Sequence, residues 1–341
     1  MKNDEREKLL MVENLTVEYQ SQPRLLEKRK PSVKAVNDVS FEVYSGETFG
    51  VVGESGCGKT TLGKTIVRLL KPTQGKMFFN DAGQVKDLLS LDKKSSFELR
   101  KKLQIVFQDP YASLNPMHTV LEAFDEPMRV HGIGDGSKEK RREIIAEALE
   151  RVNLQPDYMY RYPHEFSGGQ RQRICVAKAL VLQPKLIVCD EPVSALDVSI
   201  QAQLLNLMRR LQKELGIAFI FIAHDLSVVQ YMSDRIAVMY LGSIVELADS
   251  EELYKNTLHP YTQALLSSVP VPVYNAKKER IVLSGDVPSP MKLPSGCPFH
   301  PRCEKCMEVC KRIKPELMET DREGHFVACH LFGQQTEEMH S

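Results

Sequence analysis

The stretch that most constrains this chain is Gly53-Glu54-Ser55-Gly56-Cys57-Gly58-Lys59-Thr60, a run of the form G-x-x-x-x-G-K-[ST]. An apolar, β-rich run, Thr48-Phe49-Gly50-Val51-Val52, precedes it, and a helix-like run over 61–67 follows. Strand, glycine turn and helix is the context in which such a run cradles a polyphosphate. Glycines let backbone N–H groups turn inward, and the helix start adds the positive end of its dipole. Lys59 can reach the β- and γ-phosphates as a point charge, and the Thr60 hydroxyl suits Mg²⁺. Alone, the run implies a nucleoside triphosphate and nothing narrower.

The 341 residues suffice for one large domain and a smaller one. Lys+Arg 45 balance Asp+Glu 45, so no global field draws in nucleic acid or anionic lipid. No run has the apolar length to span a bilayer, and residues 1–6 lack a signal-peptide core, so a soluble, cytosolic chain is expected. Of the 8 Cys, Cys57, Cys175 and Cys189 are scattered, while Cys297, Cys303, Cys306, Cys310 and Cys329 crowd the tail. In a reducing compartment such a cluster points to metal before disulfides.

Alternation predicts strands at 15–19 and 39–44, with a basic, proline-bearing loop over 23–31 between them. Tyr19 suits either stacking on a base or packing beside its strand neighbours. Past the phosphate loop, residues 71–75 break the chain and strand-like runs follow, including 76–79. Residues 103–107 read as a buried strand ending at Gln108-Asp109-Pro110. A polar amide there sits where open α/β sheets place ligands, so Gln108 suits Mg²⁺ or an attacking water, or else caps the turn before Pro110. From 117 to 182 the apolar spacing is helical, and the mixed-charge run 138–143 reads as a solvated helix face.

Ser167-Gly168-Gly169-Gln170 stands ahead of a helix continuing to 182, in isolation an ordinary N-capped start, and otherwise a second start suited to an anion. Two phosphate-type sites in one chain make sense when two copies share each nucleotide. The apolar run 185–189 ends in Asp190 and Glu191. Asp190 suits Mg²⁺, and Glu191 suits orienting and deprotonating an attacking water. Ser194-Ala195-Leu196-Asp197 leads into a helix over 198–215, and 217–222 is another buried strand ending at His224-Asp225, where ligands collect. A helix over 226–232, strand-like runs at 236–239 and 243–246 and a helix over 251–255 close the core. After a helix from 259 to 266, prolines at 270, 272, 288, 290, 294, 298 and 301 mark a loop-rich appendage.

The ordered set of 53–60, Gln108, Ser167-Gly168-Gly169-Gln170, Asp190-Glu191, 194–197 and His224 resembles the nucleotide-binding subunit of an ABC transporter. Residues 108–116 (QDPYASLNP), 164–170 (HEFSGGQ) and 259–266 (HPYTQALL) are similar to the oligopeptide/dipeptide importer ATPases of the OppF/DppF type. The resemblance implies an α/β phosphate-loop NTPase with a RecA-like core, an antiparallel β subdomain and a helical subdomain at about 110–182. Residues 1–258 would form the nucleotide-binding domain and 259–341 a small Cys-rich C-terminal extension.

It also implies a head-to-tail dimer with ATP and Mg²⁺ at the interface. Gly53, Glu54, Ser55, Gly56, Cys57, Gly58, Lys59, Thr60 and Thr61 would line the phosphates, with Thr60, Gln108 and Asp190 toward Mg²⁺. Ser167, Gly168, Gly169 and Gln170 of the opposite subunit would complete the site. Glu191 would be the general base, His224 would hold the γ-phosphate and water, Asp197 would connect the two sites, and Tyr19 would stack on adenine. Implied partners are two transmembrane permease subunits, a second homologous ATPase subunit and an extracytoplasmic solute-binding protein. No nucleic acid is implied, and the place of work is the cytoplasmic face of the cell membrane.

Peptides are the implied cargo, with nickel or a glycoside as alternatives. A soluble ABC ATPase acting on ribosomes or DNA is the different class; a second cassette or a long coiled-coil insert, usual there, is absent from this sequence. In the tail the resemblance assigns Cys297, Cys303, Cys310 and Cys329 to a [4Fe–4S] cluster. The pair Cys303-x2-Cys306 has zinc-like spacing, so zinc is the alternative.

Overall fold

Period-two burial decides the architecture. In the computed structural model, which describes residues 6–20, 32–268 and 281–332, every residue of strands Leu186–Asp190 and Ala218–Ile222 is buried. Ile187, Cys189, Phe219 and Phe221 face one core; Leu186, Val188, Ala218, Ile220 and Ile222 face the other. A strand buried on both faces must lie inside a layered α/β fold. The loop expected over 23–31 and prolines 270 and 272 lie outside the described residues.

The strands in chain order are β1 (Lys8–Gln20), β2 (Ser32–Tyr44), β3 (Thr48–Val52), β4 (Gln74–Asp81), β5 (Gln84–Asp87) and β6 (Leu103–Val106). Then come β7 (Leu186–Asp190), β8 (Ala218–Ile222), β9 (Arg235–Tyr240), β10 (Ser243–Asp249), β11 (Met318–Glu319) and β12 (Phe326–Val327). One sheet has the order β2-β1-β4-β5 and is antiparallel. The other has the order β11-β12-β10-β9-β3-β8-β7-β6. Its β9-β3-β8-β7-β6 portion is parallel, so the C-terminal ends of β3, β6, β7 and β8 lie along one edge. That edge is where open α/β sheets bind ligands.

The antiparallel sheet packs Leu10, Val12, Phe41, Met77 and Phe79 on one side of the central sheet, with Leu62 and Ile66 of the helix Lys59–Ile66 between. Helices Val120–Val130, Lys138–Arg151 and Gly168–Leu180 pack on the other side. Phe124, Met128, Ile145 and Leu149 are fully buried there, each stabilising the fold by about 1.5–3 kcal/mol. Thr119 starts the first of these helices with a reciprocal cap from Glu122. The tail joins the same core through Cys297, Phe299 and Cys310.

Three elements differ from the sequence expectation. The strand over 103–107 is not buried throughout: β6 has a neighbour on one side only, and Gln104 and Ile105 are half-exposed. The helix Lys93–Lys102 was not expected, because Leu99 is its one buried residue and no apolar period marks it. The appendage also supplies β11 and β12, and β12 pairs with Glu246 and Leu247 of β10. Hydrogen bonding therefore continues across residue 258, where the sequence placed a domain boundary.

Candidate nucleotide site

The phosphate loop joins β3 to the helix Lys59–Ile66, and two of its glycines are required by close backbone approach. Gly58 caps that helix at φ 107°, and a Cβ there would lie 1.9 Å from the Ala35 carbonyl oxygen. A Cβ on Gly53 would lie 2.2 Å from the Met239 carbonyl oxygen. The loop is thereby wedged between β2 and β9. Lys59 is only 5% exposed and donates from Nζ to the carbonyls of Gly53 (2.8 Å) and Glu54 (3.0 Å). Gly56 and Ser55 are exposed, and Cys57 is buried, its thiol pushed up by burial.

The Thr60 hydroxyl donates to Asp190 Oδ1 at 2.9 Å, so the helix start meets the end of β7. Asp190 is 4% exposed, and burial pushes its carboxyl up despite the Thr60 hydrogen bond. A hydroxyl and a buried carboxylate are hard oxygen donors beside a phosphate loop, and they fit Mg²⁺. Bound there, Mg²⁺ would supply neutralising charge to the phosphate oxygens.

Glu191 follows directly at φ 48°, a left-handed conformation unusual for a side-chain-bearing residue. Its N–H donates to Ile222 O (2.9 Å), and its carbonyl accepts from the Ser194 hydroxyl (3.0 Å) and the Ser194 N–H (3.3 Å). The carboxylate accepts from Gln108 Nε2 at 3.0 Å and lies 3.4 Å from His224 Nδ1. Gln108 also donates to the Ser194 hydroxyl at 3.3 Å. Residues from the ends of β6, β7 and β8 thus converge on one carboxylate, an arrangement able to position a water and take its proton.

Tyr19 is 45% exposed, with its hydroxyl 3.3 Å from Thr61 Oγ1, so its ring stands free beside the phosphate-loop helix. The Ser167-Gly168-Gly169-Gln170 start is separate. Ser167 Oγ accepts from Gln170 N (3.3 Å), and Gln170 Oε1 accepts from Ser167 N (3.0 Å), so their bonds close on each other. Asp197 is exposed and caps the helix Val198–Leu215 by accepting from Ile200 N. The Ser199 hydroxyl and that N–H hold its carboxyl below the usual range.

In the tail, Cys297, Cys303, Cys310 and Cys329 line one small pocket with His259, His300 and His330, and Cys306 stays out of it. The donors have the right softness for an iron–sulfur cluster or zinc. Their placement does not: among the described residues no group of three or more His, Cys, Asp or Glu is arranged to hold a metal ion. Burial pushes the Cys297 and Cys329 thiols up to about 11. The cluster that the resemblance assigns to Cys297, Cys303, Cys310 and Cys329 thus has the four thiols around one pocket but no metal-ready arrangement among the described residues.

Two residues with no role at the nucleotide expected from the sequence reach the phosphate loop from this tail. The Tyr261 hydroxyl accepts from Glu54 N at 2.9 Å, and Arg302 donates from Nη1 and Nη2 to the Glu54 carboxylate at 2.8 and 3.2 Å. Arg302 stands 248 positions from Glu54, so no local pattern could have paired them.

Two family models match the chain: "ABC transporter" over residues 36–194, and "Oligopeptide/dipeptide transporter, C-terminal region" over 245–310. The oligopeptide transport ATP-binding protein AppF of Bacillus subtilis is 54% identical over 90% of this chain and 92% of its own. The oligopeptide transport ATP-binding protein OppF of Haemophilus influenzae is 46% identical over 96% and 98%. Among solved structures, the dimeric ATP-binding cassette MJ0796 bound to ADP and Pi aligns at TM-score 0.62 and 28% identity, over 71% of this chain and 99% of that one. The structure of cbiO1 of Clostridium perfringens, part of the ABC transporter complex cbiONQ, aligns at 0.61 and 26% identity, over 73% and 92%. The chain therefore belongs to the ATP-binding subunits of ABC transporters, a family that hydrolyses ATP to power transport, within the group that carries the oligopeptide transporter C-terminal region.

Proposed function

We propose that this chain powers the import of oligopeptides or dipeptides, by closing with a second ATPase subunit around ATP and hydrolysing it. The observation that carries the reading is the split of its anion sites. Lys59, Thr60, Asp190, Gln108, Glu191 and His224 gather at one sheet edge, while the Ser167 and Gln170 side chains cap each other's N–H within a separate helix start. The second start is then available to a nucleotide held by another subunit. That the related cassette MJ0796 forms a dimer bound to ADP and Pi supports this arrangement.

In this reading Lys59 exchanges its loop carbonyls for phosphate oxygens, and Tyr19 stacks on the base. Glu191, held by Gln108 and His224, orients a water and accepts its proton as the water oxygen attacks the γ-phosphorus and the bond to ADP breaks. Asp197, beside the second start, links the two sites. Among the described residues no helix is long and apolar enough to cross a membrane, so two permease subunits would form the path and a solute-binding protein would deliver cargo. The chain would sit peripherally on the cytoplasmic face, with residues 1–258 as the ATPase domain, their helical part toward the permease, and 259–341 as the extension.

Peptide as cargo rests on the C-terminal family match and on the names of AppF and OppF. Uptake of labelled di- and oligopeptides by cells carrying Glu191→Gln checks it: uptake should stop. Unchanged peptide uptake, with loss of nickel or glycoside uptake instead, would overturn the cargo. The iron–sulfur or zinc reading of the tail has the shared cysteine pocket in its favour and the placement of those side chains against it. Iron, sulfide and zinc assays on anaerobically purified protein decide between them.

A further inference from the structure

The tail does more than continue the sheet: it holds the N–H and the carboxylate of one residue of the phosphate loop. The N–H of Glu54 donates to the Tyr261 hydroxyl, its carbonyl accepts from Lys59 Nζ, and its carboxylate takes both arms of the Arg302 guanidinium. Paired bonds from a planar guanidinium fix direction as well as distance. The accepting Tyr261 and the donating Arg302 are themselves held by packing. Tyr261 is fully buried, its ring 4.7 Å from that of Tyr240 in β9 and 5.5 Å from that of Phe299. Phe299 also meets Tyr240 edge-on at 5.3 Å, and Arg302 follows in the next turn of chain, 7% exposed. His259, kept neutral by complete burial, caps the helix Pro260–Ser267 by accepting from Tyr261 N.

We infer that Arg302 and Tyr261 are positioning residues of the ATP site, through which the C-terminal extension sets ATP affinity. Two physical effects act together. The Glu54 N–H is committed to Tyr261 and its carbonyl faces Lys59, so the loop enters binding already shaped and less order is lost. The second effect is charge. A carboxylate inside a polyphosphate-binding loop repels ATP, and Arg302 cancels that charge at 2.8 Å. Removing Arg302 leaves a free anion where ATP must dock. The inference rests on the phosphate loop being the ATP site, and the test below separates failure of one from failure of the other.

The test is ATP affinity, measured calorimetrically on the full chain, with thermal melting to show that each variant folds. Arg302→Gln should weaken ATP binding about tenfold, the scale of one uncompensated charge partly screened by solvent. Adding Glu54→Gln to Arg302→Gln should recover most of that loss, because the repelling charge is gone. A purely structural role would not give that rescue. Tyr261→Phe, which keeps the ring, should weaken binding by about threefold, the cost of one neutral hydrogen bond. Arg322→Gln removes a different tail-to-core pair, with Glu252, and should leave ATP affinity unchanged. Where Arg302→Gln does not fold, Arg302→Lys retains the charge but not the fork and should bind ATP between wild type and about tenfold weaker. Folded Arg302→Gln with wild-type affinity, or a double variant no better than the single, would overturn the inference. Lys59→Ala that still bound ATP normally would overturn the site itself, and the inference with it.

Discussion

Two helices of this chain begin with a hydroxyl residue and glycine in a form suited to an anion, and their surroundings differ sharply. At the helix Lys59–Ile66, the start is gathered in: Lys59 is buried, Thr60 bonds Asp190, and Gln108 and His224 converge on Glu191 nearby. At the helix Gly168–Leu180, Ser167 and Gln170 satisfy one another, and no acid from β7 attends them. Gly168 and Gly169 there face Leu196 and Ile200, beside Asp197. One start gathers a lysine, a hydroxyl and two carboxylates, and the other presents N–H groups and a hydroxyl. The difference makes sense if the second start serves a nucleotide bound elsewhere, so that a working site needs two chains.

The comparison can be broken in order of expected effect. Glu191→Gln should lower ATP turnover by about a hundred- to thousandfold, the scale of losing a general base, with ATP still bound. Steady-state phosphate release checks it, and turnover within a few-fold of wild type would remove Glu191 from the chemistry. Lys59→Ala should weaken ATP binding by about 2–3 kcal/mol, the scale of charged hydrogen bonds lost to phosphate. Ser167→Ala should leave the chain's own ATP affinity intact but lower turnover by about fivefold, with about 1 kcal/mol lost from the helix cap. An affinity loss in a dilute monomer instead would place this start on its own chain's nucleotide.

The smallest effect concerns how the tail is held beside the first site. His325 is wholly buried, with Nε2 2.9 Å from Glu246 and Nδ1 3.4 Å from Glu252, which Arg322 also engages. Burial lowers the imidazole pKa, but the two carboxylates outweigh it and raise it. A raised folded pKa means stability that is fully present below the unfolded value and lost as pH rises through the folded one. The melting temperature should therefore fall as pH rises above the ordinary imidazole value of about 6.5. Glu47, pushed up to about 7 by burial despite Arg235, gives the same sign. The difference between wild type and His325→Gln isolates the histidine, and no difference in slope would refute its protonation.

The phosphate loop, the carboxylates after β7 and the glycine-rich start at 167 were legible because each is a short run whose residue types state their chemistry. Nearly every central strand was legible for a related reason: apolar runs such as 186–190 and 218–222 are buried on both faces. The helix Lys93–Lys102 was not, since one buried leucine leaves no period to read. Strands of two residues, β11 and β12, are too short to alternate. The hold of Arg302 and Tyr261 on Glu54 was hidden for a third reason, because tertiary contact joins positions far apart in sequence.

The measurement that tests the composite site most directly is ATP turnover per chain over a hundredfold range of protein concentration, alone and with its partner ATPase added. The split of the two helix starts predicts that turnover per chain vanishes on dilution to the monomer and returns with concentration or partner. A dilute monomer that hydrolyses ATP at a constant rate per chain would contradict it.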